Sequence, residues 1–305
     1  MYDDDETPRP PAAAPQASAG EVVVVKDQPG QPNKGKVFAA VHAHLDDIPY
    51  YASGLCTKLM REGYTGYLVR TTNDERSGGK TNAQNIYSNE QDHARVAAAL
   101  GFQDVFDFYY LNHDMDGISC IDLRGRLILI FRMLKVDTVI SFNPSRDGEE
   151  NPDHWVTGRA VEEASWMAGT PNDFHEHLLA GIQPHTVTER YNFHARPGQP
   201  FNRVVDISSH IEKKIDAIVE CKSQGDGNRG SLVRAELARQ GKRLPLLGSE
   251  DRTADRAYAR QFLLDNDREY GRPHHLEYAE RFYYIDRRPT KSKAEEYIEK
   301  NAVSI

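Results

Sequence analysis

The hexamer His42-Ala43-His44-Leu45-Asp46-Asp47 puts two imidazoles and two carboxylates within six residues of the 305-residue chain. Borderline metals such as Zn²⁺ take that mixture of nitrogen and oxygen donors. Adjacent aspartates allow a division of labour, in which one carboxylate ligates metal while the other stays free as a base. Farther along, Asn151-Pro152-Asp153-His154 offers another imidazole. His154 would complete a set of two histidines and one carboxylate, with coordination positions open to water and substrate. The plainer alternative at both places is a polar loop whose aspartate caps the helix that follows.

Both segments need strand ends to hold them. Val37–Val41 is a short apolar run, as a buried strand gives. Pro49 suits the first turn of a helix, and residues 50–61 have helical periodicity stopped by Gly63. Strands over 67–71, 105–110 and 137–142 alternate with helices over 90–100, 122–134 and 154–167. Alternation at this spacing predicts a single α/β domain, a mostly parallel sheet with helices on both faces. In such sheets ligands bind at the carboxyl ends of strands, near the switch in strand order. The hexamer and the second tetrapeptide both belong to strand-to-helix connections. The chain has no G-x-G-x-x-G or G-x-x-x-x-G-K-[ST] motif, so dinucleotide and nucleoside-triphosphate binding lose their main support.

Hydrophobic residues make up 39% of the chain and charged residues 28%, a globular composition. No apolar run approaches the ~20 residues that span a bilayer, so no integral membrane segment is expected. The net charge of −8 argues against broad nucleic-acid binding, which wants a basic face. Three cysteines are too few and too scattered for a disulfide framework or a thiolate metal site. Residues 1–35 differ from the rest. An acidic run at Asp3–Glu6 precedes four prolines among alanines, which predicts a disordered or extended segment, disordered over about 1–20. The folded domain is expected over 36–305. No signal peptide is visible, so the expected compartment is the cytoplasm, or the periplasm or exterior if a signal peptide has been removed. A homo-oligomer is compatible with all of this.

The two motifs together resemble the PIG-L/LmbE-like de-N-acetylase family, whose pattern is strand–AHPDD(E)–helix and a later HPDH at a helix start. Ala97–Gly101, Asp116–Ile118, Val205–Ser208 with Lys213 and Lys214, and Tyr278–Phe282 resemble its other segments. The resemblance implies a Rossmann-like fold and a metal-dependent hydrolase that removes an acyl group, in the first instance acetyl, from an amino sugar or glycoconjugate. It implies His44, Asp47 and His154 as ligands of Zn²⁺, with Fe²⁺ as the alternative. Asp46 would be the general base toward a metal-activated water, and Asp153 would orient a histidine or the base. Asn151 stands where the family often has His; it can donate a hydrogen bond to an oxyanion but cannot transfer a proton. Leu45 and Ile48 replace the usual Pro and Glu. Arg76, His113 and Asp116 are candidate substrate-binding residues, with His113 also a candidate proton donor. The competing expectations are a metal-bearing carbohydrate-binding protein without turnover, or a metal-dependent hydratase or lyase on the same scaffold.

Overall fold

The computed structural model describes residues 22–193 and 196–303. The expected disorder of residues 1–20 lies outside the described residues. In chain order the elements are β1 (Val23–Val25), β2 (Val37–His42), α1 (Asp47–Tyr51), α2 (Ser53–Arg61), β3 (Thr65–Thr72), α3 (Asn82–Leu100), β4 (Asp104–Tyr110), α4 (Cys120–Leu134), β5 (Thr138–Phe142) and α5 (Pro152–Met167). There follow α6 (His175–Leu179), β6 (Glu189–Phe193), β7 (Arg203–Asp206), α7 (Ile211–Ile218), α8 (Arg229–Arg239), α9 (Asp251–Phe262), α10 (Asp265–Gly271), β8 (Ala279–Asp286) and α11 (Lys293–Asn301). Among the described residues the eight strands form one sheet in the order β1-β7-β8-β6-β5-β2-β3-β4. Of these strands, β8 alone runs antiparallel to both its neighbours. This is the expected α/β architecture, and the sheet extends ahead of Lys36 because β1 pairs with β7.

β2 shows why the sheet's centre was legible. Phe38 and Ala40 pack on one face with Leu55, Leu59 and Ile215, from α2 and α7. Ala39 and Val41 pack on the other with Leu127, Phe131 and Val156, from α4 and α5. A parallel strand covered on both faces reads as an unbroken apolar run. β2 has β3 on one side and β5 on the other. The strand order therefore switches there, and the loops leaving β2 and β5 are neighbours.

Two helices differ from expectation. The helix expected over 50–61 is broken at Ala52, whose φ of −146° and ψ of 4° are non-helical, so α1 and α2 are separate. Glu280 of β8 takes up the start of α2, accepting from Gly54 N at 2.9 Å and Leu55 N at 2.8 Å. Lys214 Nζ donates to Glu280 (2.9 Å), Asp267 (2.8 Å) and the Tyr50 carbonyl (2.7 Å). All three charged side chains are buried. Removing one member of such a cluster strands charge in the interior, at a cost of ~3–5 kcal/mol. The late sequence matches at Lys214 and Glu280 thus clamp α1 and α2 behind the first motif. Helix α3 starts at Asn82 rather than 90, with Thr81 and Gln84 forming a capping box. Its buried side in the first turns is Asn85, Asn89 and Asp92, so apolar periodicity gives no sign of them. Among the described residues no helix is long and apolar enough to cross a membrane.

Candidate functional site

The connection after β2 is fixed by its own acids. Asp47 Oδ2 accepts from Ala43 N at 3.1 Å and His44 N at 2.7 Å, and Asp74 Oδ2 accepts from Leu45 N at 2.9 Å. Asp74, itself at φ +55°, is held by Arg70 at 3.1 Å. Beneath the loop, His42 Nδ1 donates to the His44 carbonyl at 2.6 Å, and its Nε2 meets His93 Nε2 at 3.1 Å. Burial holds both of these rings below the usual histidine range. Neither Asp46 nor Asp47 caps α1 through its side chain: Asp46 is the capping residue and makes no such bond, and Asp47 closes on its own loop.

At the start of α5 the cap is Asn151, whose Oδ1 accepts from Asp153 N at 3.0 Å. That leaves the Asp153 carboxylate free to turn inward. It accepts from His113 N at 2.7 Å and lies 3.0 Å from His44 Nε2. His154 stacks on Phe142, with ring centroids 4.2 Å apart and planes 15° apart. Its Nδ1 lies 3.0 Å from Glu149 Oε2, and its Nε2 lies 3.0 Å from His44 Nδ1. Asp47 completes the group, with Oδ1 3.5 Å from His154 Nε2 and Oδ2 3.7 Å from His44 Nδ1. One ligand atom from each of His44, Asp47 and His154 lies within 4.8 Å of the others, and all three residues are buried.

The outer nitrogens decide what this cluster suits. His44 Nε2 faces the Asp153 carboxylate and His154 Nδ1 faces Glu149, so the ring hydrogens belong on those outer atoms. The inner nitrogens then point lone pairs at each other and at Asp47. Converging lone pairs repel, and a cation relieves them; the donor set therefore fits a divalent metal. With a proton as the only available cation, His44 is pushed up to about 10: burial opposes its charge, but Asp153, Asp47 and Asp74 outweigh it. Metal binding must displace that proton. For Glu149, burial raises the carboxyl, but the His154 bond, the Asn151 N–H and Arg196 bring it down to about 2.

Asp46 is partly exposed and lines a cavity of about 210 Å³ with the three clustered residues, Tyr50, Asn151 and Gln224. Burial and the adjacent Asp47 push its carboxyl up to about 7, with His44 opposing. The sequence candidates thus divide. His44, Asp46, Asp47, Asn151 and His154 share the cavity, with Asp153 behind His44. His113 is exposed at φ +64°, its ring 6.4 Å from that of His44. Arg76 is engaged by Asp114 at 2.9 and 2.7 Å, and Asp116 sits exposed in the turn Met115–Gly117; neither lines this cavity. Glu149 was missed. It is one of three acids in the polar connection after β5, and only its contact with His154 singles it out.

Fold and centre together define an α/β protein with a His–Asp–His cluster at the switch point of a mostly parallel sheet. Residues 39–165 match the family model of PIG-L, described as GlcNAc-PI de-N-acetylase, the family that the two motifs resemble. It is 25% identical over 200 residues to the diacetylchitobiose deacetylase of Thermococcus kodakarensis, covering 63% of this chain and 71% of the relative. Its fold matches the N,N'-diacetylchitobiose deacetylase from Pyrococcus horikoshii with a TM-score of 0.65 at 20% identity, over 82% of this chain and 84% of that one. It also matches the 4-carboxy-2-hydroxymuconate hydratase of Pseudomonas putida KT2440 with a TM-score of 0.58 at 19% identity, over 84% of this chain and 99% of that one. At these identities the two structures show a shared fold.

Proposed function

We propose that this protein is a metal-dependent N-deacetylase that hydrolyses the acetyl amide of an amino sugar or glycoconjugate. The observation that carries this reading is the convergence of His44, Asp47 and His154, from two motifs far apart in sequence, beside a carboxylate left out of the cluster. His44 through Nδ1, His154 through Nε2 and Asp47 would hold the ion, with Zn²⁺ first and Fe²⁺ second for two imidazoles and one carboxylate. A divalent ion there supplies a Lewis acid for the amide carbonyl and lowers the pKa of water. Asp46 takes the proton of the attacking water. Asn151 lines the cavity and its Oδ1 is committed to Asp153 N, so its Nδ2 is the group left to donate to the developing oxyanion. Since Asn151 cannot transfer a proton, Asp46 returns its proton to the departing amine; His113, outside the cavity lining with its ring 6.4 Å from that of His44, is the alternative donor.

Asp153 and Glu149 orient the two imidazoles. Glu149→Gln keeps the shape and weakens the acceptor, so metal affinity is expected to fall ~10–100-fold. Competition with a chromogenic chelator measures this; unchanged affinity would remove Glu149 from the centre. Screening acetate release across N-acetylated amino sugars tests the reaction itself, and a metal-replete protein that releases none from any of them refutes it. The same Asn151 is compatible with one second reading, hydration of a carbon–carbon double bond, in which no amine leaves: Asp46 would take the proton of water as the hydroxyl adds to one carbon and deliver it to the other. Substrate loss without acetate, on an unsaturated acid, would select it.

A further inference from the structure

The cavity at the cluster, about 210 Å³, is small beside the ~300–1,000 Å³ of sites that enclose a whole small molecule. A second cavity of about 530 Å³ adjoins it through one peptide unit: Ser223 lines the second, Gln224 the first. Lys80, Tyr87, Ser88, Gln91, Lys222 and Asn228 bound it. Past Tyr87 it continues into a hollow of about 410 Å³ along the first turns of α3.

The walls of this groove are built in. Three buried side chains of α3, at helical spacing, tie down both loops that form it. Asn85 Nδ2 donates to the Glu75 and Lys80 carbonyls at 3.1 and 3.3 Å. Asn89 Nδ2 donates to the Asp74 and Ser77 carbonyls at 3.1 and 3.2 Å, and its Oδ1 accepts from Ser223 Oγ at 2.7 Å. Asp92 Oδ2 accepts from Lys222 N at 2.8 Å and Ser223 N at 2.6 Å. With that face turned in, Tyr87, Ser88 and Gln91 fall on the neighbouring side of the helix and open into the groove. The same loops reach the cluster, since Asp74 also holds Leu45 N at 2.9 Å.

The lining chooses the ligand. Arg95 pairs with Asp92 and with Glu220, Lys222 lies 3.7 Å from Glu220, and Lys80 Nζ donates to Ser88 Oγ at 3.2 Å. Arg95 and Lys222 face carboxylates and Lys80 is hydrogen-bonded to a hydroxyl, so two of the three cations are already paired, which disfavours a strongly anionic occupant. Tyr87 is 66% exposed and offers one flat ring among amides and hydroxyls. A ring that covers C–H faces, flanked by hydrogen-bonding amides, suits a neutral pyranose. We infer that this groove is a subsite for the neighbouring sugar unit of the substrate, the one linked to the residue being deacetylated. The inference rests on the proposed deacetylase reading.

The probes are N-acetylglucosamine and its β-1,4-linked oligomers of two to four units, assayed for acetate release and for binding by calorimetry. The comparison is between the unmodified protein, Tyr87→Ala and Tyr87→Phe. Tyr87→Ala should raise KM for the oligomers by up to ~10-fold, the worth of one aromatic contact. It should leave kcat/KM for the monosaccharide unchanged, and Tyr87→Phe should keep the oligomer KM low. Equal effects on monosaccharide and oligomers, or none on either, would overturn the subsite. If no sugar yields acetate, tetramer binding decides separately: binding that weakens in Tyr87→Ala supports the groove while the deacetylase reading falls, and binding that is absent or indifferent to Tyr87 overturns the groove.

Discussion

Asp46→Asn is expected to lower kcat by ~10²–10⁴ while the protein keeps its metal, the usual worth of a positioned general base. Asparagine preserves the outline of the side chain and removes the basic lone pair. Asp46 makes no capping bond that the change would disturb, and it stands beside the His44–Asp47–His154 cluster rather than within it. The pH profile gives an independent check. Burial and Asp47 push the Asp46 carboxyl up to about 7, and a cation at the neighbouring cluster pulls it back. The base works deprotonated, so kcat should rise with pH through an acid-side limb lying below about 7. Asn151 does not titrate, so it contributes no alkaline limb. In Asp46→Asn the acid limb should disappear along with the rate. A variant of undiminished activity would make Asp46 structural.

The second large effect concerns the ligands. The unmodified protein should hold about one ion per chain, and His44→Ala, Asp47→Ala or His154→Ala should each lose it and fall to background activity. Asp47 needs a companion variant. Its Oδ2 accepts two backbone N–H groups, so Asp47→Ala loosens the loop as well as the centre. Asp47→Asn keeps an acceptor for those bonds and still weakens the donor. Elemental analysis of all four variants, with circular dichroism to show that they fold, separates loss of metal from loss of structure. Full metal content in every variant would dissolve the centre.

The parts legible in the sequence are those where packing leaves a periodic trace. β2, β3 and β5 are parallel and mostly covered on both faces, so their apolar runs stand out between polar connections. α5 was legible from its periodicity over 154–167, but it opens two residues earlier, with Asn151 as the cap and Pro152 at the first helical position. The meeting of the two loops follows from the order of strands, which strand–helix alternation foreshadows. Other parts leave no such trace. The first turns of α3 bury asparagines and an aspartate, which look like a surface. β8 runs antiparallel between β6 and β7, joined to the sheet by pairings that no short-range pattern announces. Glu149 is indistinguishable in sequence from Glu150 beside it, and only the fold puts one of them on His154. Arg76 had the right chemistry for a substrate contact, and Asp114, also in the sequence, occupies it.

The most direct test strips the protein of metal with a chelator, returns Zn²⁺ or Fe²⁺ in measured steps, and follows acetate release from an N-acetylated amino sugar at each step. The rate should start near zero, climb in proportion to the ion bound, and level off at about one equivalent per chain, with no recovery in His154→Ala. A stripped protein that releases acetate at the full rate, or a rate indifferent to His154, would contradict a metal-dependent deacetylase built on His44, Asp47 and His154.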